Sequence, residues 1–188
     1  MSKLFVDEIV HQSSQGSGTI TLGASGEKID LGATAGGTLS NKPNFFAYLN
    51  ADQTISTATS TKVNINTEVY DTEGIYDNST NYRATIPTGY GGKWCFYYNL
   101  IGVAGTNNLN EFQGYIRKNG SILTQTFCTP DVNELNAMAL HESIIVDCSA
   151  GDYFEVWGYV NDLSGSPHFR GESSIYRTYF GGYRLIGA

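Results

Sequence analysis

The chain has 188 residues, enough for one domain of ordinary size with an appendage, and its formal net charge is −7. Acidity of that size with 11 scattered basic residues, of which only Arg117 and Lys118 are adjacent, excludes a nucleic-acid partner, because phosphates are held by clustered cations. Cys95, Cys128 and Cys148 show no C-x-x-C spacing, so neither a disulfide framework nor a zinc site is expected.

Twenty-two glycines, 13 tyrosines and 9 phenylalanines against 2 methionines make a β-type composition: aromatic and β-branched residues suit a pleated, half-buried surface, and glycine supplies its turns. Only 15% of residues are charged, against about a quarter in an average chain, which suits a neutral polar surface or one hidden in an assembly. No apolar run reaches membrane-spanning length, so no membrane insertion is expected. Met1 to Asp7 breaks into charge after three apolar residues and does not read as a secretory signal, so synthesis and assembly in a cytoplasm are expected.

Along the chain, residues 1–12 carry Leu4, Phe5, Val6, Ile9 and Val10, an apolar segment suited to docking on a larger body. Residues 13–43 are rich in Gly, Ser and Thr and hold an imperfect repeat, Thr19 to Gly26 and Lys28 to Gly36. Each copy sets two aliphatics at i and i+2 before a glycine, which is strand periodicity too thin to bury itself. Three such ribbons wound together would bury Ile20, Leu22, Ile29 and Leu31 in an extended, β-rich stalk; the alternative is a flexible linker.

Residues 44–188 read as short strands between turn signals. The expected strands are 44–50, 61–70, 83–86, 93–101, 111–118, 121–128, 143–147, 153–160 and 176–186, with Asn119-Gly120 as a hairpin signal. Asp131 to His141 lacks a helical stripe and reads as a loop or a single turn. Several strands are apolar on both sides: Trp94, Phe96, Tyr98 and Leu100 alternate with Cys95 and Tyr97, and Phe154, Val156 and Val160 with Tyr153, Trp157 and Tyr159. A solvated sheet would show polar residues outward, so a second buried surface against neighbouring subunits is expected. Phe46, Tyr48, Tyr98, Trp157, Tyr159, Tyr183 and Leu185 are its candidates.

No catalytic constellation emerges, and no enzyme activity, metal or cofactor is expected. His11, His141 and His168 sit in unrelated segments, and no Gly-x-Ser-x-Gly elbow is present. Asp71, Glu73 and Asp77 lack the order of a calcium loop and read as a solvated acidic turn. Tyr76, Tyr82, Tyr90, Phe169 and Tyr176 read as packing within or between heads ahead of sugar-stacking platforms.

Phe46-Ala47-Tyr48-Leu49, Tyr76-Asp77, Tyr82 to Pro87, Gly89 to Phe96, Gly151-Asp152 and the closing Tyr179-Phe180-Gly181-Gly182-Tyr183-Arg184-Leu185 stand in collinear order. That order resembles the globular head of the complement-component and tumour-necrosis-factor superfamily, with Tyr82 in place of the usual phenylalanine and extra glycines before Trp94. The resemblance implies an all-β jelly-roll sandwich of about ten antiparallel strands and an obligate homotrimer. A glycine-rich stalk joined to such a head is similar in style to bacteriophage fibre, tail-tip and capsid decoration proteins. It implies a virion-surface protein held to other virion proteins by its N-terminus, or a tip that binds a host surface receptor.

Overall fold

The computed structural model describes residues 43–106, 108–130, 135–162 and 165–185. The apolar anchor (Leu4, Phe5, Val6, Ile9, Val10) and the stalk aliphatics (Ile20, Leu22, Ile29, Leu31) lie outside the described residues. The described chain is all-β, in thirteen segments. β1 (Asn44–Tyr48), β2 (Gln53–Thr54), β3 (Thr61–Lys62), β4 (Thr67–Asp71), β5 (Tyr76–Asp77) and β6 (Arg83–Thr85) precede the long central strands β7 (Gly92–Val103) and β8 (Leu109–Lys118). β9 (Ser121–Cys128), β10 (Ala137–Cys148), β11 (Tyr153–Asp162), β12 (His168–Phe169) and β13 (Tyr179–Arg184) follow.

They form two antiparallel sheets. In the first, the order β2-β12-β7-β13-β1-β4 is extended by β10 on the far side of β7; in the second, the order is β5-β6-β11-β8-β9, with β3 also on β11. The two layers are the jelly-roll sandwich that the resemblance implies. Non-local pairing dominates: β1 lies between β13 and β4, so the first and last strands of the head are neighbours.

The core is set by side-chain alternation. β7 sends Trp94, Phe96, Tyr98 and Leu100 inward, joined by Phe45 and Ala47 of β1 and Phe180 of β13. From the other sheet come Phe112 and Ile116 of β8 and Phe154, Val156 and Val160 of β11. The rings interlock: Phe96 stacks on Phe154 at 4.0 Å between centroids, and Phe45 meets Phe180 edge-on at 5.1 Å. Offset and edge contacts of this kind add to burial, which itself contributes about 1.5–3 kcal/mol for each large apolar side chain. Gly158 on β11 lets the sheets approach, since a Cβ there would stand 2.6 Å from the Phe169 ring and 2.8 Å from Leu100.

Two sequence expectations change. Asp131 to His141 is not a loop throughout: Ala137 to His141 opens the twelve-residue β10. Its opening run Ala-Met-Ala-Leu is made of good helix formers, but β7 offers an unpaired edge along its whole length, and that pairing overrides local preference. The expected strand 61–70 is broken in two, with β3 on the second sheet and β4 on the first. The residues between them, Val63 and Ile65, are buried in the core while the chain crosses between layers.

The Asn119-Gly120 turn has φ of 52° and 82°, the paired positive values of a tight hairpin. Asn119 also ties this hairpin to the neighbouring turn: its Nδ2 donates to Asp152 at 2.8 Å and its Oδ1 accepts the Tyr153 N–H at 2.9 Å. Asp152 accepts the Ser149 N–H at 2.8 Å and pairs with Lys118 at 2.8 Å. Lys118, then the Ser149 N–H and Asn119, hold the Asp152 carboxyl down at about 2. A carboxylate lowered by folding contributes stability in full above its unfolded value and loses it as pH falls through the folded one. Thermal melts should therefore show Asp152→Asn less stable than the parent at pH 7, with the gap closing between about pH 4 and pH 2. A gap that does not narrow on acidification would contradict this role.

Candidate functional site

The same alternation that fills the core decides what the first sheet shows outward. With Trp94 and Phe96 inside, Cys95, Tyr97, Asn99 and Ile101 face out on β7, beside Phe46 and Tyr48 of β1 and Tyr179 and Tyr183 of β13. None of these eight carries a formal charge. Tyr70 on β4 and Tyr176, in the loop before β13, extend the surface at its margins and are about half exposed.

Phe46 is the hub. Its ring lies 5.3 Å from Tyr176, 5.4 Å from Tyr179, 6.1 Å from Tyr70 and 6.5 Å from Tyr97. Tyr97 in turn lies 6.4 Å from both Tyr179 and Tyr183, and Tyr48 lies 4.9 Å from Tyr176. Strand register explains the closeness. Gly181 sits opposite Phe46 on one side and Tyr97 on the other, and a Cβ there would run into the Tyr97 ring. The missing side chain is what lets that ring lie down across β13.

The Tyr97 hydroxyl is partly withdrawn from water as well: burial, with the Tyr70 phenol beside it, holds it protonated well above the usual tyrosine range. A hydrogen bond with Cys95 raises Tyr183. Tyr176 is fixed by its loop: Arg177 pairs with Glu172 at 2.5 Å, Asn99 donates to the Arg177 carbonyl, and Glu172 N–H donates to the Leu49 carbonyl at 3.0 Å. Among the described residues there is no ligand-sized cleft. What the face offers is a broad, neutral, pre-arranged aromatic area, and such patches on a folded domain mark contact surfaces.

The sequence candidates for a subunit contact divide three ways. Phe46, Tyr48 and Tyr183 are together on this face, with Leu185 just beyond the end of β13. Tyr98 is not on it: only 1% exposed, it points into the core, where its hydroxyl meets Thr126 at 2.5 Å. Strand parity is the reason, because Tyr98 shares the inner side with Trp94 and Phe96. Trp157 and Tyr159 face outward from the second sheet, on the opposite side of the sandwich, and cannot join the same contact. Their doubly apolar strand has an answer within one chain: Arg117 lies over the Trp157 ring at 4.0 Å and Lys62 at 5.8 Å, so long cationic side chains roof the indole. Tyr70, Tyr97 and Tyr179 are not among the candidates, and Tyr176 reads from sequence only as packing within or between heads. For Tyr97 the signal was its position out of phase with Trp94; for Tyr70 and Tyr176 nothing local tells face from edge.

Other residues singled out by sequence find structural places. Tyr76 and Phe169 are core, and burial raises Tyr76 well above the ordinary phenol value. Asp71 accepts the N–H groups of Ile75 at 2.9 Å and Tyr76 at 2.7 Å. Asp77 accepts those of Ser79, Thr80 and Asn81, which hold its carboxyl far below the usual range. These oxygens serve turns. His141 is exposed on β10, and His168 faces Asp52 at 3.3 Å. Burial pushes the Cys148 thiol up to about 12, away from nucleophilic chemistry. Among the described residues no three His, Cys, Asp or Glu side chains gather as a metal set.

No family model and no curated protein matches this sequence. Solved structures match its fold. The Eiger tumour necrosis factor of S. frugiperda superposes with a TM-score of 0.56 at 10% identity, covering 78% of this chain and 96% of that one. The globular domain of zebrafish complement 1qA gives 0.53 at 12% identity, over 77% and 98%. Murine APRIL gives 0.55 at 9% identity, over 76% and 98%. The head of this chain therefore has the tumour-necrosis-factor and complement type of jelly-roll fold, as its ordered motifs imply.

The Gly181 contact carries a measurable consequence. Gly181→Ala lifts the Tyr97 ring off β13 and should lower stability by about 1–3 kcal/mol, as overpacking does, in urea denaturation. A neutral effect would mean that the ring does not depend on that gap.

Proposed function

We propose that this chain is a non-enzymatic binding and structural head that works as a homotrimer, closed through the aromatic face around Phe46. The observation that carries the reading is that face: eight uncharged outward positions on three adjacent strands, with rings already packed and the Tyr97 hydroxyl already partly desolvated. Ordering such side chains on association costs little, since they are held in place beforehand.

Three-fold closure needs two different surfaces on each subunit, because a ring contact is head-to-tail. The second is the edge formed by β9 and β10, the outermost strands of the two sheets. Phe127 and Ile145 stand 65% and 60% exposed there, and β9 carries no charged residue that would guard an open edge. An aromatic face that accepts an apolar edge of the next subunit covers both.

In its finer form, the reading is a bacteriophage virion protein, a surface fibre or capsid decoration. The N-terminal segment would hold to other virion proteins and the head would face outward. The support is the resemblance of a Gly/Ser/Thr-rich, aliphatic-paired segment joined to a jelly-roll head, together with the low charge of the chain. The alternative within the same architecture is a receptor-binding tip, and its support is the anchored loop that presents Ile175 at about half exposure.

Light scattering on the purified chain should give three times the 20.5 kDa subunit mass at micromolar concentration. Phe46→Asp should shift it to monomer, an effect on the order of a hundredfold or more in association, as for removal of a central aromatic anchor. A parent protein that is monomeric at that concentration would contradict the trimer. Antibody against the head should label intact particles. Labelling of host cells by the purified head, without labelling of particles, would favour the receptor-binding alternative.

A further inference from the structure

Asn119-Gly120 is the one Asn-Gly pair in the chain, and both residues are exposed at the tip of the β8–β9 hairpin. That pair carries a chemistry of its own. Glycine has no Cβ to shield its nitrogen, so the Gly120 nitrogen can attack the Asn119 Cγ. A bond forms from that nitrogen to Cγ, the Cγ–Nδ2 bond breaks, and ammonia leaves with the nitrogen's proton. The cyclic imide that results is opened by water at either carbonyl. One route leaves aspartate; the other leaves isoaspartate, with the main chain passing through Cβ. Water is the only co-reactant.

The fold holds the amide that this reaction needs. Nδ2, the leaving group, donates to Asp152 at 2.8 Å, and Oδ1 accepts the Tyr153 N–H at 2.9 Å. The Asn119 N–H donates to the Tyr153 carbonyl at 2.9 Å. Asp152 is itself steadied by the Ser149 N–H and by Lys118, each at 2.8 Å. Attack requires the amide to swing onto the Gly120 nitrogen, and both of its bonds tie it to the neighbouring turn instead. The one Asn-Ser pair, Asn78-Ser79, is held at the other reactant: the Ser79 N–H donates to Asp77 at 3.1 Å.

From the exposed Asn-Gly tip and the clasp on its amide, we infer that Asn119 is a deamidation site gated by the fold, with Asp152 as the residue that keeps it shut. The change runs one way. Aspartate at this position has lost the donor and sets a second carboxylate against Asp152 where the bond stood. Isoaspartate adds a backbone atom to a two-residue turn whose paired positive φ values leave no slack. Either product parts the β8–β9 turn from the β10–β11 turn, so an opening of the clasp becomes permanent at the start of β9. The site is complete within one chain and away from the Phe46 face, so it stands or falls separately from the trimer.

The test is peptide mapping by mass spectrometry, with isoaspartate scored by enzymatic methylation, on the full chain incubated at pH 7. Asn119 should deamidate at least about tenfold more slowly in the folded parent than in the same chain unfolded in guanidinium chloride. Asp152→Ala, which removes the Nδ2 acceptor, should speed Asn119 about fivefold in the folded state and leave Asn78 unchanged. Lys118→Met loosens Asp152 without touching Asn119; it should speed the reaction about twofold and covers the case in which Asp152→Ala does not fold. Asn119→Asp, the product made by mutation, should melt below the parent at pH 7. Equal rates at Asn119 in folded and unfolded parent overturn the gate, as do unchanged rates in the folded variants or equal acceleration at Asn78. A folded Asn119→Asp variant that melts with the parent overturns the one-way consequence.

Discussion

The side-chain parity of β7 is the constraint on which the rest of this head depends. One twelve-residue strand pairs with β10 along one edge and with β13 and β12 along the other, so it sits at the centre of the first sheet. Its inner residues, from Trp94 to Leu100, meet the second sheet and set how far apart the layers lie. Its outer residues inherit the opposite face. Because the side-chain period of a strand is two, a slip of one residue would bring Cys95, Tyr97 and Asn99 into the core and send Trp94 and Phe96 out. The stacking of Phe96 on Phe154 and the buried Trp94 make that exchange prohibitive, and the aromatic outer face follows as a consequence.

The two outer faces then answer the same problem in opposite ways. Both sheets carry rings outward, which is expensive to leave against water. On the second sheet, the long side chains of Arg117 and Lys62 fold over Trp157, and Glu155 balances one of the two cations. On the first sheet, among the described residues, no cation lies over these rings; the rings around Phe46 pack on one another, over a gap kept by Gly181. A face roofed by its own charged side chains is finished within the chain. A face of uncharged rings is not, and it is the one that the proposed trimer would cover.

Much of the fold was legible in the sequence because its signals are local. The β-rich composition, the Asn119-Gly120 hairpin, β9 from Ser121 to Cys128 and the ordered Phe46, Tyr76-Asp77, Gly151-Asp152 and Tyr179-to-Leu185 motifs all carry over into the structure. Where reading stopped, the deciding forces were non-local. β10 begins at Ala137 because an unpaired β7 edge is available, which no property of Ala-Met-Ala-Leu announces. The double-sided strands were legible as such, but which side is inner depends on the opposite sheet. Tyr98 therefore reads as an interface residue from sequence and is a core residue in fact. Trp157 reads as an apolar surface seeking a partner because its roof comes from residues 40 and 95 positions away in sequence, Arg117 and Lys62. Residues 1–42, with the anchor and stalk candidates, are not among those the structure describes.

Closure of the proposed trimer through Phe46 would cover the aromatic face. Hydroxyl-radical footprinting of the parent protein reads this directly at Tyr70 and Tyr176, which are 46% and 50% exposed in a single chain and bracket the face. The account requires both to be protected in the native protein and to become reactive in a folded Phe46→Asp variant, while Ile175, beside Tyr176 on the same loop, serves as the local reference. Equal labelling of Tyr70 and Tyr176 in the two proteins would show the face open to water in both and would contradict it.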